Sequence, residues 1–547
     1  MGIPYYFYSL TQKYNTILSN NKPNGLAMYC IDFNGVIHNV AQDIIRKAQP
    51  ATTANDIIES EIITGVWERI KYYIENYKAD KYIICADGVA PLAKMFQQRK
   101  RRYLNIYKYT LDNVSIKWDT NAITQGTLFM EKLNTYIYEN ITQPQYSSKV
   151  IYSGSNECGE GEHKIFRIIR ESHDPRDARD TRKASRIIIH GLDADLIILS
   201  LMSHKENIYL MREVKDPHTN NTVYNYLNIN ELRKAILCEL KIKWDLSDSG
   251  NSGNSGDSGN SSDLCDNDVI ETYCTACSIL GNDFIPHLLT IELKNNGIET
   301  LMSATKTSIK TNGLLVNSGV INHNCLIDIL KIIAHTEDED IHGICERYIK
   351  RRPPDNRNAL ANAGANAPSD YYGLKNKDPL INTIYNSSNK WRQEYYRVIF
   401  DNNISIDSTV MFNACNNYIK GIYWVYSYYK GRDIDCEWYY PYNYPPTIKD
   451  ILNHSIANEA PDVPSHVPSH VPSHVPPYIQ LLIVLPKYSV NLLAKKHQRY
   501  MLDIYSGLFH MYPVKYEIQT FLKTQLWECS PILPLINIKY IKRVLEL

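Results

Sequence analysis

Five short acidic blocks punctuate the first half of the chain: IDFNGVIH, ADGVAPLAK, GEGEHK, GLDADLI and GNDFIP. They carry Asp32, Asp87, Glu160, Glu162, Asp193, Asp195 and Asp283. Carboxylates gathered in one crevice do not all stay ionised without cations. Hard oxygen ligands of this kind suit Mg²⁺ or Mn²⁺, and such sites work on phosphates. A second constellation follows Asp87 directly. Residues 94–102 read KMFQQRKRR, and a helix there aligns Lys94, Gln98, Arg101 and Arg102 along one stripe. Three cations and an amide on one stripe make a phosphate cradle. The plainer reading of a charge run is a solvated helix face. Its place just after a candidate metal ligand favours the cradle.

The elements that must position these groups are legible as alternation. Residues 27–31, 81–86, 149–153, 186–190 and 207–211 read as short buried strands. Amphipathic stretches such as 57–77 and 161–171 lie between them. The pattern predicts α/β layers around a mostly parallel sheet, whose strand ends collect distant residues in one crevice. Asp193 and Asp195, read as part of a strand, share one face. Glu160 and Glu162 diverge if both lie on a helix, and converge if Glu160 lies in the turn before it. Taken singly, the two glutamates could merely complement a helix N-terminus, and Asp283 could be a turn residue.

Composition sets bounds. The chain has 547 residues, 44% hydrophobic and 22% charged, with zero formal net charge. That suits an ordinary globular protein of more than one domain, and any nucleic-acid signal must be local. No apolar run reaches membrane-span length, and the N-terminus has no signal-peptide layout. Gly2 is no myristoylation start, because Tyr6 stands where Ser or Thr is wanted. Twelve scattered cysteines suit a reducing compartment. Cys274 and Cys277 form a lone CxxC, read as buried thiols rather than a zinc site. Tyrosine is abundant, at 42 residues, with no function inferred from it.

Low-complexity tracts divide the chain. Residues 245–263 (DLSDSGNSGNSGDSGNSSD) form an insert between a core at 1–244 and its continuation at 264–352. Residues 353–369 read as a linker before a second, aromatic region at 370–547. Within that region, 463–477 is a VPSH repeat, read as an extended polyproline-like loop rather than a metal site.

In order, MGIP, AMYCIDFNGVIHN, ADGVAPLAKMFQQRKRR, GEGEHKIFRIIR, IIHGLDADLIILSL and ILGNDFIPHL resemble the XRN family of 5′→3′ exoribonucleases. So do YWVYSYYKGRDIDCEWYYPYNYPP and the tail motifs QLLIVLP, MYPVKYEI and LPLI. The likeness spans nearly the whole chain outside the low-complexity tracts. It implies a PIN/flap-nuclease-like core, with a second, mainly helical and aromatic-rich region closing the active site. By resemblance, all seven acids hold metal, two Mg²⁺ or Mn²⁺ ions. Lys94, Gln98, Arg101 and Arg102 form the pocket for a 5′-monophosphate. His38 stacks on a base, as does a later aromatic, Trp438 first and Trp424 second. Pro91 helps exclude duplex.

The implied partner is single-stranded RNA with a 5′-monophosphate, cut to 5′-mononucleotides by two-metal catalysis. The expectation is a monomer with no membrane partner, in the cytoplasm with the nucleus as the alternative. Tyr5 and Tyr6 depart from the family's Lys-Phe-like start, so its duplex-unwinding contacts do not carry over. The long C-terminal extensions of cytoplasmic members are absent, so neither does their partner binding. The competing functions are a structure-specific flap or 5′-nuclease on DNA and a non-catalytic RNA-binding scaffold. The basic pocket argues against the first and the seven intact acids against the second.

Overall fold

Five apolar runs pair side by side as parallel strands, in the order β4-β3-β2-β5-β6. They are β2 (Leu26–Asp32), β3 (Ala79–Cys85), β4 (Val150–Ser153), β5 (Arg186–His190) and β6 (Ile208–Lys215). Two further strands, β1 (Leu18–Ser19) and β7 (Thr222–Asn228), extend the β6 edge by antiparallel pairing. The computed structural model describes residues 3, 5–47, 55–112, 116–172, 185–191, 193–215, 222–240, 265–351, 378–387, 390–405, 407–455 and 475–546. The 245–263 insert, the 353–369 linker and all but the last three residues of the VPSH repeat lie outside these.

The chain runs from β2 outward through β3 to β4, then returns to β5 on the other side of β2. Strand order therefore reverses at β2 and β5, the place where an open α/β sheet opens its crevice. Register sharpens this. Asp32 sits level with Cys85, Cys85 with Ser153, and Ile31 with His190. Residues just past these ends meet at one edge.

Alternation along each strand feeds two layers. Tyr29, Ile31, Ile84 and Ile188 pack under the helices Phe33–Lys47, Asn55–Asn76 and Leu128–Ile141. Cys30, Ile83, Cys85, Ile187 and Ile189 face the helices Gly161–Glu171, Asp195–Met202 and Asp266–Cys277. That second layer continues into the C-terminal region through the helix Thr409–Lys430, most of whose residues are buried. A separate core cluster sets Leu92, Met95 and Phe96 of the basic helix against Ile479, Leu482, Met511 and Ile541.

A buried carboxyl helps tie the second region together. Glu337 is fully buried, and its carboxylate accepts the backbone N–H of Ile448 (2.6 Å) and of Lys449 (3.0 Å) at the start of the helix Ile448–Ser455. Cys274 and Cys277 are buried free thiols, as the CxxC reading expected. No helix among the described residues is long and apolar enough to cross a membrane.

Candidate active site

Asp32 is the last residue of β2, and Asp87 lies two residues beyond β3. Asn34 clamps Asp87 from both sides. Its Nδ2 donates to Asp87 Oδ2 at 2.9 Å, and its Oδ1 accepts the Asp87 backbone N–H at 3.0 Å. The backbone N–H of Gly161 donates to Asp87 Oδ1 at 2.7 Å. A Cβ on Gly161 would lie 3.4 Å from Asp32 Oδ1, 3.4 Å from Asp87 Oδ1 and 2.7 Å from the Cys85 carbonyl oxygen. The start of the helix Gly161–Glu171 therefore enters between two carboxylates, and only glycine fits there.

Glu160 caps that helix from outside, with extended backbone, and Glu162 lies in its first turn. This is the arrangement in which the two converge. Ligand atoms of Glu160, Glu162 and His163 all lie within 4.8 Å of one another. The positive end of the helix dipole favours anions here. Asp193 and Asp195 correct the strand expectation. Asp193 lies in the loop after β5, and Asp195 is the first residue of the helix Asp195–Met202. Their coming together rests on a loop and a helix start, not on a shared strand face. Asp283 sits in a turn fixed by its neighbours. Gly281 adopts φ +86°, and Asn282 Oδ1 accepts the backbone N–H of Phe284 (2.9 Å) and Ile285 (3.0 Å).

Among the described residues, three cationic or hydroxyl groups reach the acids. Lys94 Nζ pairs with Asp283 Oδ2 at 2.9 Å and with Glu160 Oε2. The Tyr428 hydroxyl donates to Glu160 Oε1 at 2.5 Å, and the Tyr429 hydroxyl to Asp195 Oδ1 at 2.9 Å. Carboxylate still exceeds positive charge. Burial, then the neighbouring Asp87, pushes the Asp32 carboxyl well above its usual range. Burial pushes Glu162 well up too, and Asp195 rises to about 7 through burial and then Asp283. Burial also opposes ionisation of Asp283, but the surrounding positive charges, the Lys94 ammonium foremost and Arg101 among them, together hold that carboxyl low. Glu162 Oε2 is buried with no hydrogen-bond partner among the described residues. An orphaned acceptor amid carboxyls that resist ionisation is a donor set that fits a hard divalent cation.

The basic helix runs Leu92–Asp112 and splits the expected stripe. Lys94 is buried and turned to the acids. Gln98 is buried, and Arg102 is buried with Nη2 donating to Thr124 Oγ1 at 2.6 Å; among the described residues Gln98 Oε1 and Arg102 Nη1 have no partner. Arg101 is exposed. Burial, then Arg101, pushes Arg102 down to about 9. His38 lies near this pair, held down to about 4 by burial and then by Arg101 and Arg102, so its ring is uncharged at neutral pH. Pro91 is buried at the foot of the helix, and its carbonyl accepts the N–H of Lys94 (3.0 Å) and Met95 (3.1 Å).

Trp424 and Trp438 are each 5% exposed and pack together in the core with ring centroids 5.1 Å apart. They begin a ladder. Trp424 stacks on Tyr428 at 4.9 Å, and Tyr428 stacks on His163 at 3.9 Å.

Sequence reasoning missed four contributors: Asn34, Tyr428, Tyr429 and Arg99. Arg99 is fully buried, and its guanidinium donates to the carbonyls of Pro534 (2.6 Å) and Met511 (2.5 Å). A signal for it existed, because Leu92, Met95, Phe96, Arg99 and Tyr103 follow the apolar helical period.

Residues 1–214 match the family model described as "XRN 5'-3' exonuclease N-terminus". Residues 265–370 and 373–546 match the one described as "Xrn1 helical domain". The human protein named 5'-3' exoribonuclease 1 is 25% identical over 100% of this chain and 34% of its own length. The Gallus gallus protein named 5'-3' exoribonuclease 2 is 25% identical over 100% of this chain and 70% of its own. The Schizosaccharomyces pombe 5'-3' exoribonuclease 1 is 23% identical over 98% and 48%. The chain thus spans about a third of the human relative and about half of the fission-yeast one. A T5 protein co-crystallised with metal ions aligns over 78% of this chain and 99% of its own, at 10% identity and a TM-score of 0.26. With the acids and the helix that covers them both inside the matched segments, the chain belongs to the XRN family of 5′→3′ exoribonucleases.

Proposed function

We propose that the chain is a 5′→3′ exoribonuclease that hydrolyses single-stranded, 5′-monophosphorylated RNA to 5′-mononucleotides. The observation that carries this is the meeting of the two constellations on one helix. Lys94 belongs to the acid cluster, while Gln98, Arg101 and Arg102 lie four to eight residues further along. At 1.5 Å per residue that is about 6–12 Å, a separation that puts end recognition beside bond cleavage without merging them. Asp32, Asp87, Glu160, Glu162, Asp193, Asp195 and Asp283 would hold two divalent ions, Mg²⁺ or Mn²⁺. Bound there, such ions supply an activated water and stabilise the leaving oxygen.

The protein's own groups do the rest. Arg102 Nη1, unpartnered among the described residues, and the exposed Arg101 bind the terminal phosphate, to which Gln98 can add only its amide N–H group. Lys94 keeps Asp283 and Glu160 facing each other. His38, neutral and beside the arginines, offers a ring to the first bases without reading sequence. Pro91 stiffens the foot of the helix where duplex would be turned away. The burial of Trp438 and Trp424 favours a wall behind Tyr428 over direct stacking on a base. The same reading takes the chain as a monomer in the cytoplasm, with the nucleus as the alternative.

The test compares RNAs bearing a 5′-monophosphate, 5′-hydroxyl or 5′-triphosphate, with Mg²⁺ and with EDTA, beside matched DNA strands and flaps. Mononucleotide release confined to 5′-monophosphorylated RNA and abolished by EDTA is expected. Internal or flap cleavage of DNA in preference to RNA, or digestion indifferent to the 5′ end, overturns the reading.

A further inference from the structure

We propose that Tyr428 and Tyr429 are positioning residues for the nuclease reaction, their two hydroxyls orienting Glu160 and Asp195 to take up a divalent cation. This rests on the metal-site reading of the acids above. Consecutive residues on an α-helix point about 100° apart, so one helix end can serve two acids on separate elements. Tyr428 reaches Glu160, which precedes the helix Gly161–Glu171, and Tyr429 reaches Asp195, which opens the helix Asp195–Met202. Phenylalanine would pack as well at either position. Burying a hydroxyl is costly unless it is bonded, and here the bonds go to two carboxylates of the same cluster.

Stacked rings and an ion pair hold the tyrosines still. Trp424 lies on one side of the Tyr428 ring at 4.9 Å and 27°, and its Nε1 donates to the Asp435 carbonyl at 2.9 Å. His163 stacks on Tyr428 at 3.9 Å and 29°. Just beyond, Lys430 pairs with the buried Glu271, which also accepts the Tyr426 hydroxyl at 2.7 Å and lies 2.7 Å from His204 Nε2. The end of the helix Thr409–Lys430 is thus locked to the helix Asp266–Cys277, and the two hydroxyls are presented from a fixed frame. Hydrogen bonds that aim ligating carboxylates are worth roughly 10–100-fold in metal affinity or activity.

Tyr428→Phe and Tyr429→Phe remove one oxygen each and keep the rings. Free Mn²⁺ is followed by electron paramagnetic resonance while MnCl₂ is added to the full chain, with melting curves confirming the fold. Each variant is expected to raise the Mn²⁺ Kd about tenfold or more, and nuclease activity to recover as Mn²⁺ is raised, with KM for RNA unchanged. Tyr395→Phe, which removes a buried hydroxyl's bond to the Pro445 carbonyl (2.7 Å) outside this frame, is expected to lower the melting temperature and leave the Mn²⁺ Kd within twofold. A folded variant that binds Mn²⁺ with the wild-type Kd overturns the role of that tyrosine. A Tyr395→Phe variant that loses Mn²⁺ affinity to the same degree overturns both. Failure of the wild type to bind Mn²⁺ would instead sink the metal-site reading itself.

Discussion

Replacing Gly161 by alanine isolates the geometry of the acid cluster from the chemistry of its members. The added methyl would lie 2.7 Å from the Cys85 carbonyl oxygen, where ordinary contact begins at 3.4 Å. That oxygen belongs to a strand paired on both sides, so the helix start must retreat, by about 0.7 Å (3.4 less 2.7). The Gly161 N–H to Asp87 Oδ1 distance of 2.7 Å would stretch to roughly 3.4 Å, beyond the hydrogen-bonding range. Overpacking of this kind costs about 1–3 kcal/mol. Glu160 and Glu162 move with the helix, and misplacement on the order of 1 Å costs about 100-fold in rate. Helix propensity pushes the other way, because alanine is worth about 1 kcal/mol over glycine in a helix. A loss therefore cannot be blamed on propensity. We expect initial rates on 5′-monophosphorylated RNA to fall 10–100-fold, roughly, at saturating Mg²⁺, with urea melts showing the protein folded under assay conditions. Gly343→Ala is the control. It lies in the helix Glu337–Lys350, where a Cβ meets only the tip of Arg347 at 3.7 Å, and it should keep full activity. A Gly161→Ala protein within twofold of wild type would refute the reasoning.

Arg99→Met should cost about 2–5 kcal/mol in urea melts, because two buried carbonyls lose a charged donor; a loss under about 0.5 kcal/mol would show that the tail does not depend on Arg99. Arg101→Ala, at an exposed position, should leave stability unchanged and narrow the preference for 5′-monophosphate over 5′-hydroxyl RNA by about 10–100-fold, whereas equal loss on both substrates would mean the side chain acts elsewhere. Glu337 gives a pH prediction. Burial raises its carboxyl from 4.5 to about 7, against the pull of the Ile448 and Lys449 N–H groups and with Asp450 and Asp338 nearby. A raised folded pKa means the folded state holds the proton longer, so the contribution is full below about pH 4.5 and is lost as pH rises to about 7. Wild type should lose roughly 3 kcal/mol relative to Glu337→Gln between those limits, and parallel curves would refute the assignment.

The buried strands were the most legible part of the fold. The apolar runs mark β5 to the residue and β2 and β3 to within two at either end, because strands covered on both faces show as plain apolar runs. β1 and β7 were missed. One is two residues long, and the other mixes polar and aromatic residues at the antiparallel edge. The run LIILSL after Asp195 has no polar period, so strand and helix look alike there. The helix dipole at Asp195 favours the helix. Glu160 and Glu162 were legible because spacing alone stated the condition under which they converge. Arg99 hid inside a charge run, although its helical period matched the apolar face. Tyr428 and Tyr429 could not be read as partners of Glu160 and Asp195, because nothing local links residues 268 and 234 positions apart.

That separation also sets a timetable. A ribosome adds about 5–20 residues per second, so Glu160 emerges roughly 15–50 s before the tyrosine whose hydroxyl bonds it, 268 residues later. Throughout that interval the nascent chain carries its acids without their hydroxyl partners, and the finished centre first exists when the helix Thr409–Lys430 docks. Synthesis of this chain thus has a built-in delay between making Glu160 and supplying the hydroxyl that meets it.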